Sequence, residues 1–355
     1  MNSQSPVRIG AVGTALPPFK IVQEEADRLM TRYYEGELRP RTIDVLHKVL
    51  AHPSIKQRFM SVDSLEELLT LKNEDPDVRI ERFTRWAVKL SEEAILKALG
   101  ERKLSPGDIT HLLVNTCTGY LCPGISTYLV EKLGLRRDIF AYDMVGSGCG
   151  GAIPNLQLAG QVLGNNPDAI VVSVSVEICS ATYQMGDDIA LVISNAVFGD
   201  GAAAALLWTR PDGPSLESTT SRFAPEHRDD VRYVYRGGQL HNRLTPQLPG
   251  IIGETVPPMI RELLQSANLT LEDIDHWAIH PGGAKMIEVL KDKLDIPEPK
   301  LSITREILSS CGNMSSPTVL FELSRIIDHG PRPGQWCLMT AFGAGLSMHA
   351  CLLRG

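Results

Sequence analysis

Long apolar runs are missing from this 355-residue chain, and no stretch approaches the ~20 consecutive apolar residues that a membrane helix requires. The first residues, MNSQSPVRI, lack the charged-then-apolar pattern of a secretory leader, so a soluble cytoplasmic protein with no membrane partner is expected. No basic excess exists either. Thirty-five Lys and Arg stand against 42 Asp and Glu, a formal net charge of −7, which leaves nothing to neutralise a phosphate backbone, and no nucleic-acid partner is expected. CxxC pairs are also absent. Seven cysteines, an odd number, are scattered at Cys117, Cys122, Cys149, Cys179, Cys311, Cys337 and Cys351, a pattern suited to a reducing compartment. Together with nine histidines they form no metal-ligand spacing, so no metal is expected.

What is present is an ordinary globular composition, 43% hydrophobic and 22% charged, long enough for two core-forming units. The clearest punctuation is PDGP at 211–214, which divides the chain into halves at 1–210 and 211–355. Residues 7–16 read as a strand, and 23–62 as polar helical segments carrying Lys48, Lys56 and Arg58. Those three cations either face solvent or meet the phosphates of a ligand. The apolar spacing predicts an amphipathic helix over 85–99, closed by Gly100 as a left-handed cap, and strands over 111–119, 169–176 and 202–208.

The second half echoes the first. LSPGDITH at 104–111 is answered by LTLEDIDH at 269–276, and an apolar strand and a glycine-bearing turn follow each. Thirty-eight residues separate His111 from Cys149, and 37 separate His276 from Asn313, each of the latter preceded by glycine and followed by a helix-like pattern. Such a repeat implies two βαβ-rich halves related by a pseudo-twofold, with two helix starts facing one site.

The stretch VGSGCGGA at 145–152 puts Cys149 where a strand gives way to a helix. A helix N-terminus lowers a thiol's pKa, and flanking glycines let a substrate carbonyl approach. The other reading is a small buried hydrophobe in a glycine-packed crossing. His280 closes a strand and opens the turn Pro281-Gly282-Gly283; Asn313 by itself is a helix cap. Together, thiol, imidazole and carboxamide suit thioester chemistry: a nucleophile, its partner, and two donors for a carbonyl that becomes an enolate.

His280-Pro281-Gly282-Gly283, Gly312-Asn313-Met314-Ser315-Ser316, the FGDGAA run at 198–203 and FGAGL at 342–346 occur in the order that resembles type III polyketide synthases, the chalcone and stilbene synthase family. The likeness runs from about residue 7 to residue 353. It implies an α/β thiolase fold, with the two halves in a layered α/β/α/β/α arrangement, and a homodimer. It further implies an acyltransferase that needs neither a cofactor nor an obligate acyl carrier protein. An acyl-CoA starter would load on Cys149. Malonyl-CoA would lose CO2 to an enolate held by His280 and Asn313, and Claisen condensation and cyclisation would follow. By the same resemblance Phe198 shields the reacting centre, and Cys117, Thr118, Thr182, Ser315, Gly343 and Gly345 line the cavity. Cys122 would reach the partner subunit's cavity, while Lys48, Lys56, Arg58 and Lys285 would border the CoA entrance.

Three departures from the family pattern stand out: Gly150-Gly151-Ala152-Ile153 where Phe-Ala-Gly-Gly is common, Asn242 where a gatekeeping aromatic is expected, and Ala344 where proline is usual. The competing enzyme branch is a ketoacyl-synthase-III-like protein performing one condensation or a bare acyl transfer, which usually carries HxxN in place of His-Pro-Gly-Gly. A non-catalytic partner subunit would usually have lost the nucleophile that this chain retains.

Overall fold

The computed structural model describes residues 5–355. Nine strands form its main sheet: β1 (Arg8–Ala15), β2 (His111–Asn115), β3 (Phe140–Met144), β4 (Val171–Glu177), β5 (Gly201–Trp208), β6 (Ser215–Phe223), β7 (Ile274–Ile279), β8 (Trp336–Gly343) and β9 (Ser347–Arg354). Their order is β7-β8-β9-β6-β1-β5-β4-β2-β3. The sheet consists of two half-sheets joined at one residue pair, Arg8 with Ser215. In the first, β2 and β4 are parallel and β4 is antiparallel to β5. In the second, β7 and β8 are parallel and β8 is antiparallel to β9. The sequence echo is therefore also an echo of strand pairing.

Strands such as VVSVSVE in β4 are buried along their whole length, as expected where both faces of a sheet are covered. Among the helices that provide the cover are α1 (Pro76–Glu101), α2 (Ala152–Asn165), α3 (Leu248–Ser266), α4 (Ala284–Leu294) and α5 (Thr318–Asp328). Leu156 and Ala159 of α2 and Leu320 and Leu323 of α5 share one core with Val171 and Leu207 of the first half-sheet and Met339 and Cys351 of the second. Helix α1 packs Leu90 and Ala94 on the outer face of the first half-sheet, and α3 and α4 pack Ile260 and Leu290 on that of the second. The layers run α/β/α/β/α, with α2 and α5 in the middle, and both of the candidate site's helix starts are in that middle layer.

Two local expectations change. The helix anticipated over 85–99 begins nine residues earlier, where the Asp75 side chain accepts the N–H of Asp77 and Pro76 opens the first turn. Gly100 lies inside that helix, and the left-handed residue beyond it is Lys103, φ 54°. Within 23–62 the chain forms two helices, Gln23–Tyr34 and Pro40–Leu50, and then a strand, Gln57–Met60, that carries Arg58. Strand β3 is a free edge with Phe140 and Tyr142 exposed, and Tyr120 and Val145 are exposed as well. Among the described residues no helix is long and apolar enough to cross a membrane.

Candidate active site

Cys149 occupies a single 3-10 turn, Gly148–Gly150, just ahead of α2. Gly343, ending β8, packs against this turn so closely that a Cβ there would lie 2.3 Å from the Ser147 carbonyl and 2.8 Å from the Cys149 nitrogen. Only glycine leaves room for that contact, which fixes the turn against the second half-sheet. The hydroxyl of Ser315 donates to Cys149 Sγ at 3.1 Å. Burial pushes the thiol up to about 12; the Ser315 hydrogen bond works against this and the Glu177 charge reinforces it. Desolvation, the largest influence on the thiol, works against the lowering expected of a helix start.

His280 follows β7, and its N–H donates to the Thr340 carbonyl at 2.9 Å. Its ring meets Phe342 edge-on at 5.5 Å between centroids. Burial brings the imidazole down to about 3, so it is neutral at physiological pH, and its Nδ1 has no partner among the described residues. Phe342 thus braces His280 while the next residue, Gly343, braces the cysteine turn.

Asn313 does not cap a helix as anticipated, since α5 starts at Thr318. It forms an isolated bridge with Phe198: Asn313 N–H donates to Val197 O and Gly199 N–H donates to Asn313 O, both at 2.9 Å. Its Oδ1 accepts the Ser315 N–H at 2.8 Å, and its Nδ2 donates to the Gly282 carbonyl at 3.2 Å. A continuous set of contacts therefore runs from Cys149 through Ser315 and Asn313 to the turn that holds His280.

Arg58 is the sequence expectation that fails outright. It is fully buried, and its guanidinium donates to the carbonyls of Phe198 at 2.7 Å and Asn195 at 2.8 Å and to Gln23 Oε1 at 2.9 Å. These carbonyls end the helix Ile189–Val197, where a cation is favoured, so Arg58 fixes Phe198 and is unavailable to a CoA phosphate. Lys48, Lys56 and Lys285 are exposed, as that role would require.

The residues expected to line a cavity fall on two patches of the structure. On one, Glu177 is wholly buried at the end of β4 and accepts hydrogen bonds from the amides of Cys117 and Thr118 and the hydroxyls of Thr116, Thr118 and Ser316. Burial pushes this carboxyl up despite those donors. On the other, Thr182 Oγ1 lies 3.4 Å from the hydroxyl of Tyr233, whose strand neighbour is Asn242. Asn242, Thr182 and Phe198 line one small cavity. Gly345 adopts φ 130° beside Phe223. Cys122 is exposed, preceding Pro123 through a cis bond. Glu177 and Tyr233 went unnoticed in the sequence; the available signal for Glu177 was one carboxylate closing an otherwise uncharged strand.

Behind His280 sits a second buried acid. Glu322 Oε2 accepts the Ile279 N–H and the Thr304 hydroxyl, both at 2.7 Å, and Oε1 has no partner among the described residues. Burial pushes its pKa from 4.5 to about 8. Below the lower value the carboxyl is protonated whether the chain is folded or not. As pH rises toward the higher value only the unfolded chain ionises, so stability falls across that window. Glu322→Gln keeps the acceptor and cannot ionise. Its melting temperature should match the wild type near the lower pKa and exceed it by roughly 2–4 °C or more at the higher one, measured by calorimetry at a series of pH values.

Comparison with known proteins agrees with this geometry. Residues 1–211 match the model for chalcone and stilbene synthases, N-terminal domain, and residues 215–355 match that for the C-terminal domain. The 3,5-dihydroxyphenylacetyl-CoA synthase of Streptomyces toyocaensis is 27% identical over 98% of this chain and 90% of its own length. In structure, the chain resembles the C-terminal type III polyketide synthase domain of Steely1, a type I/III hybrid from Dictyostelium, with a TM-score of 0.92, 22% identity and 99% of each chain covered. It also resembles 1,3,6,8-tetrahydroxynaphthalene synthase from Streptomyces coelicolor A3(2), with a TM-score of 0.91, 24% identity, and 98% of this chain and 99% of that one covered. With both halves matched and the thiolase layers in place, the chain belongs to the chalcone and stilbene synthase family, the type III polyketide synthases.

Proposed function

We propose that this enzyme takes an acyl group from a CoA thioester onto Cys149, extends it by decarboxylative Claisen condensation with malonyl-CoA, and cyclises the product. The observation that carries this assignment is the contact path from the Cys149 sulfur through Ser315 and Asn313 to the His280 turn. At rest the thiol and the imidazole are both neutral. The imidazole is thus free to accept the thiol proton as substrate arrives, and in its neutral form to donate to a malonyl thioester oxygen. One N–H of the Asn313 amide is committed to Gly282, which leaves the other for that same oxygen. Phe198, fixed through its carbonyl by Arg58, shields the enolate from water.

The division at 210/211 follows the two half-sheets, each contributing part of the site. Lys48, Lys56 and Lys285 receive the CoA phosphates, with no carrier protein required. Two copies pair through the edge β3, whose exposed Phe140 and Tyr142 would otherwise leave an apolar, unpaired strand in water, and the exposed Cys122 reaches across. The enzyme works in the cytoplasm.

Mass spectrometry of the intact enzyme after exposure to a panel of acyl-CoAs, then malonyl-CoA, tests this function. A Cys149 adduct that grows by acetate units, or leaves as a larger product, is expected. An adduct indifferent to malonyl-CoA would indicate bare acyl transfer, and no adduct would overturn the assignment.

Chain length should answer to Tyr233 and Asn242 together. Asn242 replaces a bulkier gatekeeper, but Tyr233 on the neighbouring strand reaches Thr182 and fills part of the space. Tyr233→Ala should lengthen the products by one acetate unit or more and Asn242→Phe should shorten them, as read by chromatography with mass detection. An unchanged profile in both variants would remove the pair from the specificity account.

A further inference from the structure

Ser315 is 1% exposed and holds an unusual backbone, φ 61°, in the left-handed region that residues other than glycine rarely occupy. Two hydrogen bonds brace it there. Its N–H donates to Asn313 Oδ1 at 2.8 Å, and its carbonyl accepts the Thr318 N–H at 3.2 Å where α5 begins. The bend aims the hydroxyl at Cys149 Sγ, 3.1 Å away, while the Cys117 thiol lies 3.6 Å from the same oxygen. A serine that merely filled space in a cavity wall would need neither the strained backbone nor this aim.

We propose that Ser315 is a catalytic residue, whose hydroxyl is the hydrogen-bond donor that stabilises the Cys149 thiolate whenever it forms. The inference rests on Cys149 as the nucleophile. In loading, the Cys149 thiol gives its proton to His280 and the thiolate attacks the thioester carbonyl. The Sγ–C bond forms, the bond from carbon to the CoA sulfur breaks, and the CoA thiolate takes the proton from the imidazolium. In condensation the enolate carbon attacks the acyl carbon, a C–C bond forms, and Sγ departs as thiolate. The Ser315 O–H faces the sulfur in both steps. The Cys117 thiol can donate in turn to the Ser315 oxygen, which keeps the hydroxyl proton directed at Cys149. Burial and the Glu177 charge oppose ionisation of the thiol, and the Ser315 hydrogen bond counters them.

The test follows alkylation of Cys149 by iodoacetamide, resolved by peptide mass spectrometry, from neutral to alkaline pH in full-length wild type, Ser315→Ala and Ser315→Gly. The glycine variant also relieves the backbone, so its loss of rate is not a folding defect. Below its midpoint the rate tracks the thiolate fraction. Both variants should react roughly tenfold more slowly at a given pH, equivalent to a displacement of the profile by about one unit, and should load acyl-CoA correspondingly slowly. A merely structural role predicts the reverse, since a looser wall admits water and reagent and speeds alkylation. Unchanged or faster alkylation in both variants, with Cys149 still loaded by acyl-CoA, overturns the role of Ser315 alone. Failure of the wild type to load on Cys149 would instead overturn the nucleophile, and this role with it.

Discussion

Cys149→Ala should lose malonyl-CoA-dependent condensation by at least about three orders of magnitude in kcat/KM, because it removes the group assigned to carry the growing chain. Slow release of CO2 from malonyl-CoA should persist, since His280, Asn313 and Phe198 remain in place to receive the enolate. The two activities can be measured in one assay, product by chromatography and CO2 by isotopic trapping. Condensation that survives the substitution would defeat the scheme. The nearest candidate substitute, the Cys117 thiol, also contacts Ser315, so Cys117→Ala in the same background is the control.

His280→Gln should reduce both halves of the reaction. Glutamine leaves a donor near the thioester oxygen but cannot accept the thiol proton, so loading should slow by roughly 10²–10⁴-fold. Decarboxylation should fall by about 10²-fold or more, as when one donor of an oxyanion site is misplaced. The geometry makes misplacement the expected result. The imidazole ring is set by the edge of Phe342, and a flexible amide keeps the backbone bond to Thr340 but loses that ring contact. Undiminished CO2 release would remove His280 from the enolate site and leave Asn313 as the only assigned side-chain donor.

The sequence made some parts of this site legible and hid others. Cys149, His280 and Asn313 stand out as candidates because each lies beside glycines whose presence needs a reason: the Gly148 turn, the Gly282-Gly283 turn and Gly312. The layered fold could be read from the echo between LSPGDITH and LTLEDIDH, which the paired half-sheets reproduce. Arg58 misled because a cation in a polar segment looks exposed, and nothing local reveals that its strand runs beneath the end of the helix Ile189–Val197. The burial of the thiol was hidden for the opposite reason. A helix start is visible in sequence, whereas desolvation is a property of everything that closes over the sulfur. Tyr233 and Glu177 were missed because each acts across space, on Thr182 and on the 116–118 backbone, with no motif at its own position.

The one-pair seam between Arg8 and Ser215 has a consequence for how such an enzyme changes over time. Cys149 belongs to one half-sheet and its layer, His280 and Asn313 to the other, and the hydrogen bond from Ser315 to the sulfur spans the gap like the scale of a vernier. Because α2 and α5 share one core with both half-sheets, a substitution that rotated one half against the other would have to repack that middle layer. That rotation would be registered at the thiol as a change in which carbonyl, and at what distance, meets the nucleophile. A substitution in the middle layer then has a route to the nucleophile that leaves the residues touching the sulfur unchanged.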